Sequence, residues 1–226
     1  MAELIASSPV WPVITHLGTA SIVLPLVVIA AIALWTCGQR TALRNWLLAL
    51  ALAAGITLLS KIMFIGWGMG IAAIDFTGLS GHALLATAVL PILFGWLWAP
   101  LRGPFSRAGA VFGLLLGVLV SVSRVVLGAH SASEVIFGWL AGALVSWGAL
   151  RSLSDPTHRP WLARLSMLLL ALALVGDIST YLPTHDWETA LALRLSGRSK
   201  PFTRQHLRLE AQGLTVSLPA PRNSPR

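Results

Sequence analysis

Ala108–Leu127 reads AGAVFGLLLGVLVSVSRVVL; it passes through the turn Gly128–Glu134, GAHSASE, into Val135–Leu150, VIFGWLAGALVSWGAL. A bilayer core takes about 20 mostly apolar residues per helix. The first run has that length with one charge, Arg124, close to its end. The second is shorter and must borrow turn residues. Two apolar runs joined by a short polar turn form a membrane helical hairpin, because in hydrocarbon the backbone has to satisfy its own hydrogen bonds. Working outward, Leu17–Trp35, Asn45–Gly66, Ala83–Ala99 and Trp161–Tyr181 read the same way. The sequence therefore predicts an all-α fold. It is a polytopic membrane helix bundle of about six transmembrane helices over residues 1–182, followed by a short, basic extramembrane tail over 183–226.

Composition agrees. Of 226 residues, 56% are hydrophobic and 11% charged, and the mean hydropathy is +0.78. Soluble domains carry roughly 25% charged residues, so an ordinary soluble domain and a disordered chain are both excluded. The single cysteine, Cys37, permits no intramolecular disulfide, and it reads as a small apolar residue at a helix end. The net charge of +8 reflects topology and anionic lipid rather than nucleic acid, since the aromatics do not interleave with a basic face. The first apolar run follows Glu3 with no Lys or Arg before it. It lacks a signal peptide's basic region and counts as a span.

Arginines set the orientation. Arg40 and Arg44, Arg102 and Arg107, and Arg151, Arg159 and Arg164 fall in alternate loops, whereas Trp67–Gly81 and Gly128–Glu134 hold no Lys or Arg. The positive-inside rule puts the arginine loops in the cytoplasm and the other two turns outside. Trp35, Trp46, Trp96, Trp98, Trp147 and Trp161 lie near the inner ends, as an interfacial belt would. The tail then lies outside with six spans, or inside with five. It is read as a surface appendage, with a short helix over Trp187–Leu195 and a hairpin over His206–Leu218. Gly109, Gly113 and Gly117, and Gly138 and Gly142, form small-residue faces for close helix packing within the bundle. Pro91 predicts a kink.

The polar residues of the two outer turns are the chemical candidates. Lys61 lies about 25 Å along its helix from Arg44, near the outer edge of the hydrocarbon, where it either serves a site or snorkels. Ser80-Gly81-His82 opens a span. Its amides offer an anion site that glycine lets a ligand approach, or Ser80 simply caps the helix. Ser123-Arg124 closes one span, and His130 and Glu134, four apart, open the next. A carboxylate on one ring nitrogen leaves the other free to attack. Asp75 reads as a turn former or a partner of Lys61 or Arg124, and Asp177 as an interfacial residue. Two histidines, two cations, a helix start and a carboxylate at one membrane face suit phosphate ester hydrolysis through a phosphohistidine.

These residues resemble the type 2 phosphatidic acid phosphatase superfamily, related to vanadium haloperoxidases, whose pattern is K-x6-R-P, P-S-G-H and S-R-x5-H-x3-D. The third motif is Ser123-Arg124 through His130 to Glu134, with Glu for Asp. The second is Leu79-Ser80-Gly81-His82, with Leu for Pro. The first keeps Lys61 but has Gly68 and Met69 at the R-P positions. The resemblance implies that His130 attacks phosphorus, Glu134 orients it, and His82 protonates the leaving oxygen. It further implies that Lys61, Ser80, Gly81 and Arg124 hold the phosphate, with Asp75 and Ser123 as auxiliaries. No metal and no cofactor are implied. The expected substrate is a membrane lipid, either an isoprenoid diphosphate or a phosphatidate type, met at the periplasmic face of a bacterial inner membrane. Neither nucleic acid nor a particular oligomeric state is indicated. A lipid-to-lipid phosphotransferase and a non-catalytic lipid-binding relative share the pattern; a transporter fits less well, because its polar residues would lie at the midplane. The absent first-motif arginine leaves three options. Arg194, Arg198, Lys200, Arg204 or Arg208 of the tail folds back to supply a cation, the tail binds anionic headgroups, or no replacement exists.

Overall fold

The apolar runs become helices in the computed structural model, which describes residues 8–98, 105–153, 165 and 184–213. A short helix α1 (Val10–His16) meets α2 (Ala20–Thr36) at 41°. Then come α3 (Arg40–Trp67), α4 (Gly81–Leu97), α5 (Arg107–Val126) and α6 (Ala132–Arg151). The tail contributes α7 (Thr184–Ser196) and α8 (Arg204–Ala211). Between α3 and α4 lie a 3-10 turn, Ala72–Ile74, and one antiparallel bridge, Ile71 to Phe76.

Among the described residues, α3, α5 and α6 are long and apolar enough to cross a membrane, and α1 with α2 makes a fourth if the bent pair is one span. The described residues alone do not make up the expected six. The third expected span is the short α4. The sixth, Trp161–Tyr181, and Asp177 lie outside the described residues.

Helix α4 is the central post. From Ala83 to Trp96 nearly every side chain is buried, including Leu84, Leu90, Ile92 and Leu93, which is the pattern of a helix apolar on all sides. Close approach by its neighbours requires glycine. A β-carbon on Gly109 or Gly113 would run into the Phe94 or Leu90 carbonyl, and one on Gly138 would lie 2.6 Å from the Ser80 carbonyl oxygen. The small-residue faces of α5 and α6 thus pack on α4, within one bundle.

The tryptophans divide. Trp35, Trp98 and Trp147 are exposed, and Arg40 and Arg151 stack on Trp35 and Trp147 at 4.9 and 4.1 Å. Trp46 and Trp96 are buried, so these two belong to the core rather than to a belt. The Trp46 indole N–H donates to the Ala88 carbonyl at 3.0 Å, which removes the cost of burying it. Trp161 lies outside the described residues.

The tail is not an appendage. Ala192, Phe202 and Leu207 form a second small core with Ile62, Phe64 and Ile65 of α3, and the Phe202 N–H donates to the Ile65 carbonyl at 2.9 Å. The expected short helix is α7. The expected hairpin is overturned where it is described: His206–Ala211 is helical. The alternation of Leu207, Leu209 and Ala211 suggested a strand, but only Leu207 is buried. Thr203 and His206 close a capping box that starts the helix.

Candidate active site

Backbone hydrogen bonds gather the polar stretches. The Ser80 N–H donates to the Glu134 carbonyl at 3.1 Å, joining the starts of α4 and α6. The Leu79 N–H donates to Ser60 Oγ at 3.1 Å, tying the same turn to α3 near Lys61. After α5 the chain wraps its own end, the Ala129 and His130 N–H groups both reaching the Arg124 carbonyl at 3.0 and 3.2 Å. Lys61, Gly81, His82, Arg124 and His130 consequently line one cavity of about 990 Å3, whose outer wall is α7 and the segment before α8.

The centre is the His130–Glu134 pair. His130 Nδ1 lies 2.7 Å from Glu134 Oε2, which leaves Nε2 for another partner. Glu134 is fully buried, and a buried carboxylate must be paired. Its Oε2 also accepts from the Ser131 N–H at 3.1 Å, and its Oε1 from the Thr77 N–H at 2.7 Å and the Thr77 hydroxyl. Arg204 Nη2 lies 2.9 and 2.8 Å from the two oxygens. Burial pushes the His130 imidazole below its ordinary value, aided by Arg124 and Lys61 and outweighing the opposing pull of Glu134. The ring is therefore neutral, and able to act as a nucleophile, at neutral pH.

The cations are held by their own partners. Lys61 Nζ sits 3.0 and 2.9 Å from the two carboxylate oxygens of Glu188 on α7. Arg124 Nη1 donates to Thr15 Oγ1 of α1 at 3.0 Å. Gly81 opens on the cavity, where an added β-carbon would meet only the Thr57 methyl at 4.0 Å. The space before its amide suits an anion.

The PAP2 superfamily profile matches residues 72–157, which include Ser80-Gly81-His82 and Ser123–Glu134. Phosphatidylglycerophosphatase B of Bacillus subtilis is 30% identical over 145 residues, covering 58% of this chain and 68% of that protein. The chain belongs to the PAP2 superfamily. An uncharacterised 22.5 kDa protein in the cps region of Klebsiella pneumoniae is 33% identical over 207 residues, covering 89% of this chain and 99% of its own. An undecaprenyl-diphosphatase of Sulfolobus acidocaldarius is 35% identical over 77 residues, 32% of each chain. No solved structure gives a significant match. Lys61 and the whole tail fall outside the PAP2-matched residues.

In this PAP2 chain three expected site residues are placed differently. Ser80 is buried and absent from the cavity lining, and its hydroxyl accepts from the Ala83 N–H at 3.5 Å as a helix cap. Ser123 is buried too, its hydroxyl donating to the Val120 carbonyl at 2.6 Å along its own helix. Asp75 takes a left-handed turn conformation, φ 50°, and pairs with neither Lys61 nor Arg124. Its Oδ2 instead meets Arg204 Nη1 at 2.9 Å and Arg208 Nη2 at 2.8 Å.

Thr77, Glu188 and Thr15 are participants the sequence reading missed; each is an ordinary polar residue without a local pattern. Arg204 was one of five tail candidates. One signal was available: Ser131-Ala132-Ser133-Glu134 is a capping box, so Glu134 starts α6 and holds His130 with one carboxylate. The reach of glutamate, one methylene beyond aspartate, serves both tasks.

Proposed function

We propose that this chain is an integral membrane phosphatase that releases phosphate from a lipid phosphate or diphosphate through a phosphohistidine. The observation that carries the reading is the Glu134 carboxylate on His130 Nδ1 at 2.7 Å, beside two cations and an open helix start in one cavity. His130 Nε2 attacks phosphorus and forms a P–N bond while the P–O bond to the lipid breaks. His82 gives its proton to the departing oxygen. A water, deprotonated by His82, then attacks phosphorus, and the P–N bond breaks to regenerate neutral His130. Lys61, Arg124 and the Gly81 amide hold the phosphoryl oxygens as charge builds on them. The names of the Bacillus and Sulfolobus relatives point to lipid phosphates and diphosphates as the substrate class.

The proposal includes six spans and a site on the outer face. The arginine-free turns carry the site, and the arginine loops lie at the opposite helix ends, which the positive-inside rule assigns to the cytoplasm. Helix α6 ends at Arg151 among those loops, and the described tail resumes at Thr184 on the cavity.

The test is release of phosphate from phosphatidate, phosphatidylglycerophosphate and undecaprenyl diphosphate by the detergent-purified protein, with transfer to lipid acceptors scored in parallel. One lipid should be turned over, and His130→Ala should remove turnover. Activity of His130→Ala within about tenfold of the parent would overturn the phosphohistidine, since a nucleophile's loss costs far more. Transfer to lipid in place of release would make the enzyme a phosphotransferase.

A further inference from the structure

We propose that Arg204 is a positioning residue of this site: from the tail it clamps the Glu134 carboxylate so that His130 stays neutral with its free nitrogen toward the cavity. The proposal rests on the phosphohistidine reading for its catalytic meaning, but its geometry stands apart from it. The guanidinium reaches both Glu134 oxygens, at 2.9 and 2.8 Å. It is aimed by Asp75, whose carbonyl and carboxylate oxygens each receive Nη1 at 2.9 Å. The tail carrying it is seated by Phe202 and Leu207 in the second core, so the arginine is delivered by packing rather than by a loose chain.

Its place is explained by what the carboxylate lacks. Among the described residues, Glu134 receives, besides Arg204, only neutral donors, the Ser131 and Thr77 N–H groups and the Thr77 hydroxyl, and the ring of His130. An unpaired buried carboxylate recruits a proton. The nearest acceptor that would carry it as a stable ion pair is His130, whose imidazolium cannot attack phosphorus. A fixed guanidinium supplies the countercharge without a proton. The first motif's missing arginine is therefore not simply replaced on the phosphate; the tail cation is engaged by the carboxylate behind the nucleophile.

Other charged groups face His130. Arg124 from α5 and Lys61 from α3 oppose its protonation. His82 from α4 lines the same cavity. His185, Asp186 and Glu188 line the α7 wall of the same cavity. None of these bonds Glu134, so none of them replaces Arg204 on the carboxylate.

The test uses the full-length protein in detergent and two readouts. The first is independent of activity: ethoxycarbonylation of His130 by diethylpyrocarbonate, which reacts with histidine in its neutral form, followed by mass spectrometry across pH. The second is the pH profile of kcat/KM on whichever lipid is turned over. Arg204→Gln and Arg204→Ala should remain folded and move the midpoint of His130 modification to higher pH. The rate at the acidic end should fall by about tenfold, the equivalent of one unit in a titration. Arg204→Lys should recover most of the shift. The acid limb of kcat/KM should move with the modification midpoint. An unchanged midpoint in folded Arg204→Gln overturns the proposal, and so does failure of both neutral variants to fold, which would make Arg204 purely structural. If the midpoint moves but no lipid is hydrolysed by the parent, the clamp stands and the phosphatase reading fails.

Discussion

The ring of Phe202 fills the space where a β-carbon on Gly68 would lie, its nearest atoms 2.7 and 2.8 Å away. Gly68 stands at the arginine position of the first motif, and an arginine placed there looks, from the sequence, like a restoration. The packing says otherwise. Gly68 closes α3 in a left-handed conformation, φ 75°, and the tail sits directly on it. Gly38 has the same conformation, φ 74°, with nothing within 4 Å. Gly38→Ala should cost about 1 kcal/mol, the price of the backbone alone. Gly68→Ala should cost about 2–4 kcal/mol, because the ring must also give way. Gly68→Arg should fail to raise activity. Thermal unfolding in detergent decides, and equal losses at the two glycines would show that the tail is not seated there.

Glutamate at 134 is a fit rather than a tolerated exchange. It spans His130, Ser131, Thr77 and Arg204 at once. Glu134→Asp, which restores the family pattern, should lower kcat by about tenfold by drawing the carboxylate back from some of these donors. Glu134→Gln should lower it by about 100-fold or more, since a neutral amide cannot support the developing imidazolium. Full activity of the aspartate variant would show that the extra methylene has no function.

If Lys61 holds the phosphate as proposed, Glu188 competes for it. The pair lies 2.9–3.0 Å apart on the cavity wall, and an entering phosphoryl oxygen must displace that carboxylate or share the ammonium with it. Glu188→Gln should lower KM and the inhibition constant for inorganic phosphate by about threefold to tenfold, with a smaller effect on kcat. A raised KM would mean that Glu188 holds Lys61 in its working position instead.

The pH profile follows from His130. In the proposed mechanism its neutral form attacks, and burial holds its protonation below the ordinary histidine range. On the acid side kcat/KM therefore rises as pH passes upward through this lowered value. The acid limb should therefore have its midpoint below about 6.5, the unperturbed value. A midpoint above that in the parent protein would mean that Glu134 outweighs burial.

Much was determined by the sequence alone. Apolar runs too long and too uncharged for a soluble fold dictated α3, α5 and α6 within a few residues, because hydrocarbon leaves the backbone no alternative to helix. Spacing brought His130, just before the N-cap of α6, within reach of Glu134 in its first turn, and glycine at every fourth residue marked the faces that meet α4. These are local or periodic properties, and one segment carries each of them. The tertiary structure decided what no segment carries. Ser80 and Ser123 have the right identities, yet burial turns their hydroxyls onto their own helices. Trp46 and Trp96 have interfacial spacing, yet they face the core. Leu207 and Leu209 alternate like a strand, yet only one of them finds an apolar partner. Which of five tail cations enters the site was undetermined until Phe202 and Leu207 had docked on α3. Arg204 reaches Glu134 across 70 residues of chain, and only the packing of the elements between them brings the two charges together.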